Sequence, residues 1–134
     1  MPAKRKLTYS TLPLLVRGYA DSIIAHGGCS SFEQEWDDID AGDFSGEALA
    51  AMLADCSSFH TAAIALHPKG KAGLGRDIGG HDLGWHFFLA RQGTGVSYEN
   101  FMLGEFGDRL TELACRFDWV EVEISEVGEI CFLT

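Results

Sequence analysis

Between Ser45 and Leu66 the apolar residues Leu49, Met52, Leu53, Cys56, Phe59, Ala63 and Leu66 recur every three or four positions, and no proline or glycine after Gly46 interrupts them. Only a helix of about six turns places such residues on one face. Ser45 or Asp43 can cap its start by accepting a hydrogen bond from a free backbone N–H, and Pro68 with Gly70 stops it near Leu66. The rest of the chain must supply the surfaces that bury this stripe. At 134 residues it has about one domain's worth of material.

The flanking segments predict the following partners. Ser10 or Thr11 can cap a helix over 11–26, with Pro13 in its first turn and Leu12, Leu15, Val16, Tyr19, Ile23 and Ile24 at helical spacing; Gly27-Gly28 ends it. Residues 67–84 hold Gly70, Gly73, Gly75, Gly79, Gly80 and Gly84, the pattern of a flexible connection. Trp85 to Arg91 reads as a mostly buried strand, Gln92 to Gly95 as a turn, and Val96 to Tyr98 as the start of a return strand. Leu103 to Phe117 has helical spacing again. Val120, Val122 and Ile124 alternate with Glu121, Glu123 and Ser125, a half-buried strand that turns at 126–129 into a last strand from Ile130. The sum is an α+β single domain over 1–134: an antiparallel sheet of two hairpins packed with about three helices, preceded by a loose basic arm, 1–9.

Ten Lys and Arg face twenty Asp and Glu, a formal net charge of −10. Such a field repels free nucleic acid and anionic membranes and attracts basic partners. No apolar run approaches a membrane span, and no signal-peptide pattern follows the basic start, so the expected location is the cytoplasm. Cys29, Cys56, Cys115 and Cys131 are widely spaced and make no C-x-x-C, as expected of reduced, partly buried thiols.

Catalytic signatures are sparse. The chain has no G-x-S-x-G, no H-E-x-x-H and no P-loop. His81, Asp82 and His86 are the best candidate cluster for a metal or for acid–base work, which would make a small metal-dependent enzyme. A hydrogen-bonded or solvated histidine is the plainer alternative, so the expectation is no enzyme, no cofactor and no metal.

The acids are distributed more tellingly. No Lys or Arg occurs between Arg17 and Lys69, while Glu33, Glu35, Asp37, Asp38, Asp40 and Asp43 do; none follows Arg116, while Glu121, Glu123, Glu126 and Glu129 do. Ordinary surfaces intersperse both signs. The two runs therefore point to a basic partner, with carboxylates standing in for phosphates, against the plain alternative of a solvated acidic face. The expected contact set is Glu33, Glu35, Asp37, Asp38, Asp40, Asp43, Glu121, Glu123 and Glu126, with Trp36, Phe32 and Phe44 as aromatic anchors unless these three belong to the core.

Three stretches within residues 48–134 resemble a family of small proteins carried by phages, prophages and plasmids. Asp55-Cys56-Ser57-Ser58-Phe59 is similar to its Asp-Cys-x-x-Phe helix. Gly84 to Gly95, GWHFFLARQGTG, is similar to its G-H-D-F-W-L-T-R-N-G-H-G, and Gly104 to Glu112 to its G-x-x-G-D-x-L-T-E helix. The chain departs from the family where Trp85-His86 replaces a His-Asp pair and Thr94 replaces a histidine. The resemblance implies a mobile-element origin. Size, charge and that origin together lead to the expectation of an inhibitor of host defence. Its specific form is an anti-CRISPR protein that covers a basic, DNA-binding surface of a host CRISPR effector and blocks target DNA without itself binding nucleic acid or membrane. An acidic mobile-element binding module of another role is the alternative.

Overall fold

A computed structural model describes residues 8–26, 40–94 and 98–133. Among them are five α-helices and one two-stranded antiparallel sheet, and the fold is mostly helical, 66%. The helices are α1 (Leu14–Ala25), α2 (Gly46–Leu66), α3 (Gly70–Asp77), α4 (Gly80–Arg91) and α5 (Glu105–Cys115). The strands are β1 (Glu121–Ile124) and β2 (Ile130–Leu133). Short 3-10 turns lie at Tyr9–Thr11, Ala41–Asp43 and Tyr98–Phe101. An α+β class is compatible with this, but among the described residues there is one hairpin where two were expected.

The correction falls on residues 67–91. Instead of a loose connection and a strand, the chain forms α3 and α4. Leu83, Gly84, Phe87, Phe88, Leu89, Ala90 and Arg91 are all buried. A helix covered on nearly every side has the same unbroken apolar run as a buried strand, and aromatic enrichment favoured the wrong choice. The glycines mislead for a related reason. A Cβ on Gly84 would lie 1.8 Å from the carbonyl oxygen of Leu15, and one on Gly18 would lie 2.0 Å from that of His81. These two glycines let α1 and α4 pack backbone against backbone. They serve proximity rather than flexibility.

α2 carries the stripe expected of it. Met52, Cys56, Phe59 and Ala63 are buried, and Phe59 stacks on Phe87 of α4 at 4.1 Å between ring centroids. Ser45 caps the helix, its Oγ accepting from the N–H of Ala48 at 3.0 Å. By length and composition α2 could also cross a bilayer, contrary to the sequence reading; here its apolar face is used against α4 and α5. α1 starts three residues later than expected, after Pro13.

One ionic group lies within this interior. The Arg91 guanidinium donates to Asp55 Oδ2 at 2.7 Å, to the Tyr19 hydroxyl at 3.1 Å and through Nε to the Asp118 carbonyl at 2.9 Å. It lies 5.5 Å from the ring centres of both Phe87 and Phe117. Burial works against its charge, but Tyr19 and Asp55 more than offset this, and its pKa lies above the ordinary arginine value. Asp55 and Phe59 of α2 thus join Arg91 and Phe87 of α4.

Candidate partner-binding face

The hairpin is built by alternation. Val122 and Ile130 are buried, while Glu121 pairs with Leu133 and Glu123 with Cys131 across the strands. In an antiparallel pair such partners share a face, so the outer face carries two carboxylates opposite an aliphatic and a thiol side chain. The turn closes through the N–H of Ser125 to the Glu129 carbonyl at 2.8 Å and the N–H of Gly128 to the Ser125 carbonyl at 2.9 Å. Gly128 takes φ +83°, which a Cβ would strain. Two short strands alone are marginal. Here Phe44 adds a parallel bridge to Ile130, and the N–H of Ser45 donates to the Ile130 carbonyl at 2.9 Å.

The approach to β1 is fixed from α4. The Asp118 carbonyl accepts from both Nε and Nη2 of Arg91. The Gln92 side-chain amide pairs with both backbone groups of Val120, each bond 2.7 Å. Trp119 sits between these two fixed residues and is 66% exposed. A large aromatic side chain held out on a backbone anchored at both sides is prepaid for binding, since little chain entropy remains to be lost. The sequence reading missed Trp119; its lone signal was an apolar residue out of phase with Val120 and Val122.

The expected contact residues divide into three groups. Glu121, Glu123 and Glu126 lie on the hairpin, with Glu121 and Glu126 exposed. Asp40 and Asp43 bracket the 3-10 turn in a reciprocal cap: Asp40 accepts from the Gly42 N–H at 2.7 Å, and Asp43 accepts from the Asp40 N–H at 2.8 Å. The Phe44 bridge brings this turn alongside β2 and hence to the hairpin. Glu33, Glu35, Trp36, Asp37 and Asp38, with Phe32, lie outside the described residues. Phe44 is 6% exposed and belongs to the core. Among the described residues, none of the acids at 40, 43, 121, 123, 126 or 129 pairs with a Lys or Arg.

His81, Asp82 and His86 do not converge. His81 Nε2 lies 2.8 Å from Asp21 Oδ2, and the Tyr9 hydroxyl donates to the other oxygen of that carboxylate at 2.8 Å. Burial, then the bond to Asp21, raises the Tyr9 pKa. His86 instead lies edge-on to Phe101, with Nδ1 3.1 Å from the Asp82 carbonyl. The Asp21 carboxylate thus fastens the 3-10 turn at 9–11 to α4. No set of three His, Cys, Asp or Glu able to share an ion occurs among the described residues.

Cys56 is buried, and burial pushes its thiol far above the ordinary range; Cys115 is exposed and Cys131 half-buried. Comparison with family models, with curated proteins and with solved structures returned no match to this chain.

Proposed function

We propose that this protein acts by binding, through the outer face of the hairpin and the approach to it, to a cationic surface of another protein. The observation that carries the reading is the composition of the hairpin's outer face and the rigidity of the chain leading into it. Trp119 and Leu133 are exposed apolar groups, 66% and 44%, beside Asp118, Glu121 and Glu123, none of which has a described Lys or Arg partner through its side chain. An aromatic anchor within a charged rim is how interfaces concentrate affinity, and the charge steers the encounter.

The partner that this face suits is one that handles nucleic acid. Outward residues on a strand recur at about 6.8 Å, twice the ~3.4 Å axial interval between phosphates on one DNA strand. Glu121 and Glu123 are alternate residues of β1, and Asp40 and Asp43 lie near β2 through the Phe44 bridge. With the resemblance to phage and plasmid proteins, this supports an inhibitor of host defence, specifically an anti-CRISPR protein that occupies the DNA path of a CRISPR effector. No bond is made or broken in this reading.

The test is competition. Purified DNA-targeting CRISPR effector complexes are incubated with the protein before or after target DNA. Inhibition only when the protein is added first, weakening steeply as salt rises from about 50 to about 200 mM, supports the proposal. DNA binding by the effectors that is unaffected in either order overturns the CRISPR assignment.

A further inference from the structure

Trp119, Glu121 and Glu123 are alternate residues, and the two between them face inward: Val120 packs against the core and Val122 is buried. The alternation of β1 thus runs back to the grip of Gln92 on Val120, and it turns the indole to the same side as the two carboxylates. Leu133, partly exposed, stands opposite Glu121 across the hairpin. The sign of the charge here is unmixed. From Phe117 to Thr134 the chain holds Asp118, Glu121, Glu123, Glu126 and Glu129 and no Lys or Arg. Arg116, the last cation in sequence, caps the C-terminal end of α5, and Arg91 is enclosed with Asp55.

A flat ring among carboxylates is not what a DNA duplex presents. Pairing and stacking hide the faces of its bases, and a protein meets phosphates, sugars and base edges in the grooves. A surface built for duplex has cations for Glu121 and Glu123 and nothing for the indole. A single strand presents both features, a row of phosphates and bases whose faces are free. Grooves that bind single strands accordingly combine Lys and Arg with aromatic side chains on which bases stack. The indole of Trp119 offers the flat face such a platform accepts, and guanidinium groups stack on it as well. Its backbone is already held by Arg91 and Gln92, so stacking costs little further chain entropy.

We infer that the partner surface is a groove for single-stranded nucleic acid, lined by cations and aromatic rings, in which Trp119 takes the place of a base and Glu121 and Glu123 take the places of phosphates. The inference rests on the proposed reading of the hairpin as the binding face. It narrows the partner from any cationic surface to the single-strand path of a protein that handles nucleic acid.

The probe is a purified OB-fold single-strand-binding protein loaded with fluorescent oligothymidine. Its contrast is a minor-groove architectural protein loaded with fluorescent duplex. Displacement of each DNA by the full chain is followed by anisotropy. Affinity for the OB-fold protein should exceed that for the duplex-binding protein by about tenfold or more. Trp119→Phe keeps a stacking ring and should stay within about threefold of the native chain, while Trp119→Leu keeps bulk without the ring and should lose about tenfold or more. Both variants should melt with the native chain, because the side chain is mostly exposed. Equal affinity for the two probes, with Trp119→Leu binding as the native chain does, would overturn the single-strand assignment and leave the acidic face standing as a binding surface. Displacement of oligothymidine that survives Glu121→Lys with Glu123→Lys would show that the hairpin is not the site, and would overturn that reading and this inference together. No displacement of oligothymidine at all would also overturn the inference.

Discussion

Around Arg91, a carboxylate, a hydroxyl and a carbonyl close on one guanidinium between two phenylalanine rings, and Asp55 has its cation at 2.7 Å. At the hairpin, Glu121, Glu123, Glu126 and Glu129 reach solvent with no described cation beside them. The two regions use the same chemistry for opposite ends. Where charges are paired and enclosed, they hold α1, α2, α4 and the start of the hairpin in register. Where they are unpaired, they cost some mutual repulsion and contribute nothing to folding, so a partner is what would relieve them. The regions meet at Asp118 to Val120, where Arg91 and Gln92 of the interior fix the backbone that carries Trp119.

Substitutions should separate the regions sharply. The largest effect is expected inside, from Arg91→Ala. It leaves the Asp118 carbonyl, the Tyr19 hydroxyl and the part-exposed Asp55 carboxylate without their donor, costs about 2–3 kcal/mol and frees the 118–120 backbone. Urea denaturation should show the loss, and in a Trp36→Phe, Trp85→Phe background the Trp119 fluorescence should report a more mobile indole. Gly84→Ala is of similar size at about 3 kcal/mol, near the top of the range for overpacking, because a backbone oxygen stands 1.8 Å from the new atom. Gly75→Ala is its contrast: nothing lies within 4 Å of the added Cβ, and the helix should gain about 0.5–1 kcal/mol.

The smallest effect is a pH dependence. Burial, then Lys71, holds the His60 pKa below its ordinary value of 6.5. The unfolded state therefore binds the proton more readily, and stability falls as pH drops below about 6.5. His60→Gln should flatten the melting temperature between about pH 7 and 5.

How far the sequence spoke for itself follows from the same contrast. Alternation around Val122 and Ile124 specified the hairpin, and the stripe through Met52, Cys56 and Phe59 specified α2, because each is half-buried and its period survives. α4 is buried almost all round, so Phe87, Phe88 and Leu89 carried no period to read. Gly84 and Gly18 looked like flexibility because their contacts come from elements distant in sequence. That the acids at 121 and 126 reach solvent was legible from alternation and charge. Trp119 was not, since its exposure depends on Arg91 and Gln92 gripping the residues on either side.

The central claim is that the outer hairpin face binds a cationic partner. It is tested most directly by measuring affinity for a purified DNA-targeting CRISPR effector complex and the melting temperature side by side, for the native chain and for Trp119→Ala combined with Glu121→Lys and Glu123→Lys. The account predicts a melting temperature shifted little, since exposed positions usually change stability by about 0.5 kcal/mol or less, and an affinity reduced by at least about a hundredfold, or about 2.8 kcal/mol. Undiminished affinity in a folded triple variant would contradict it.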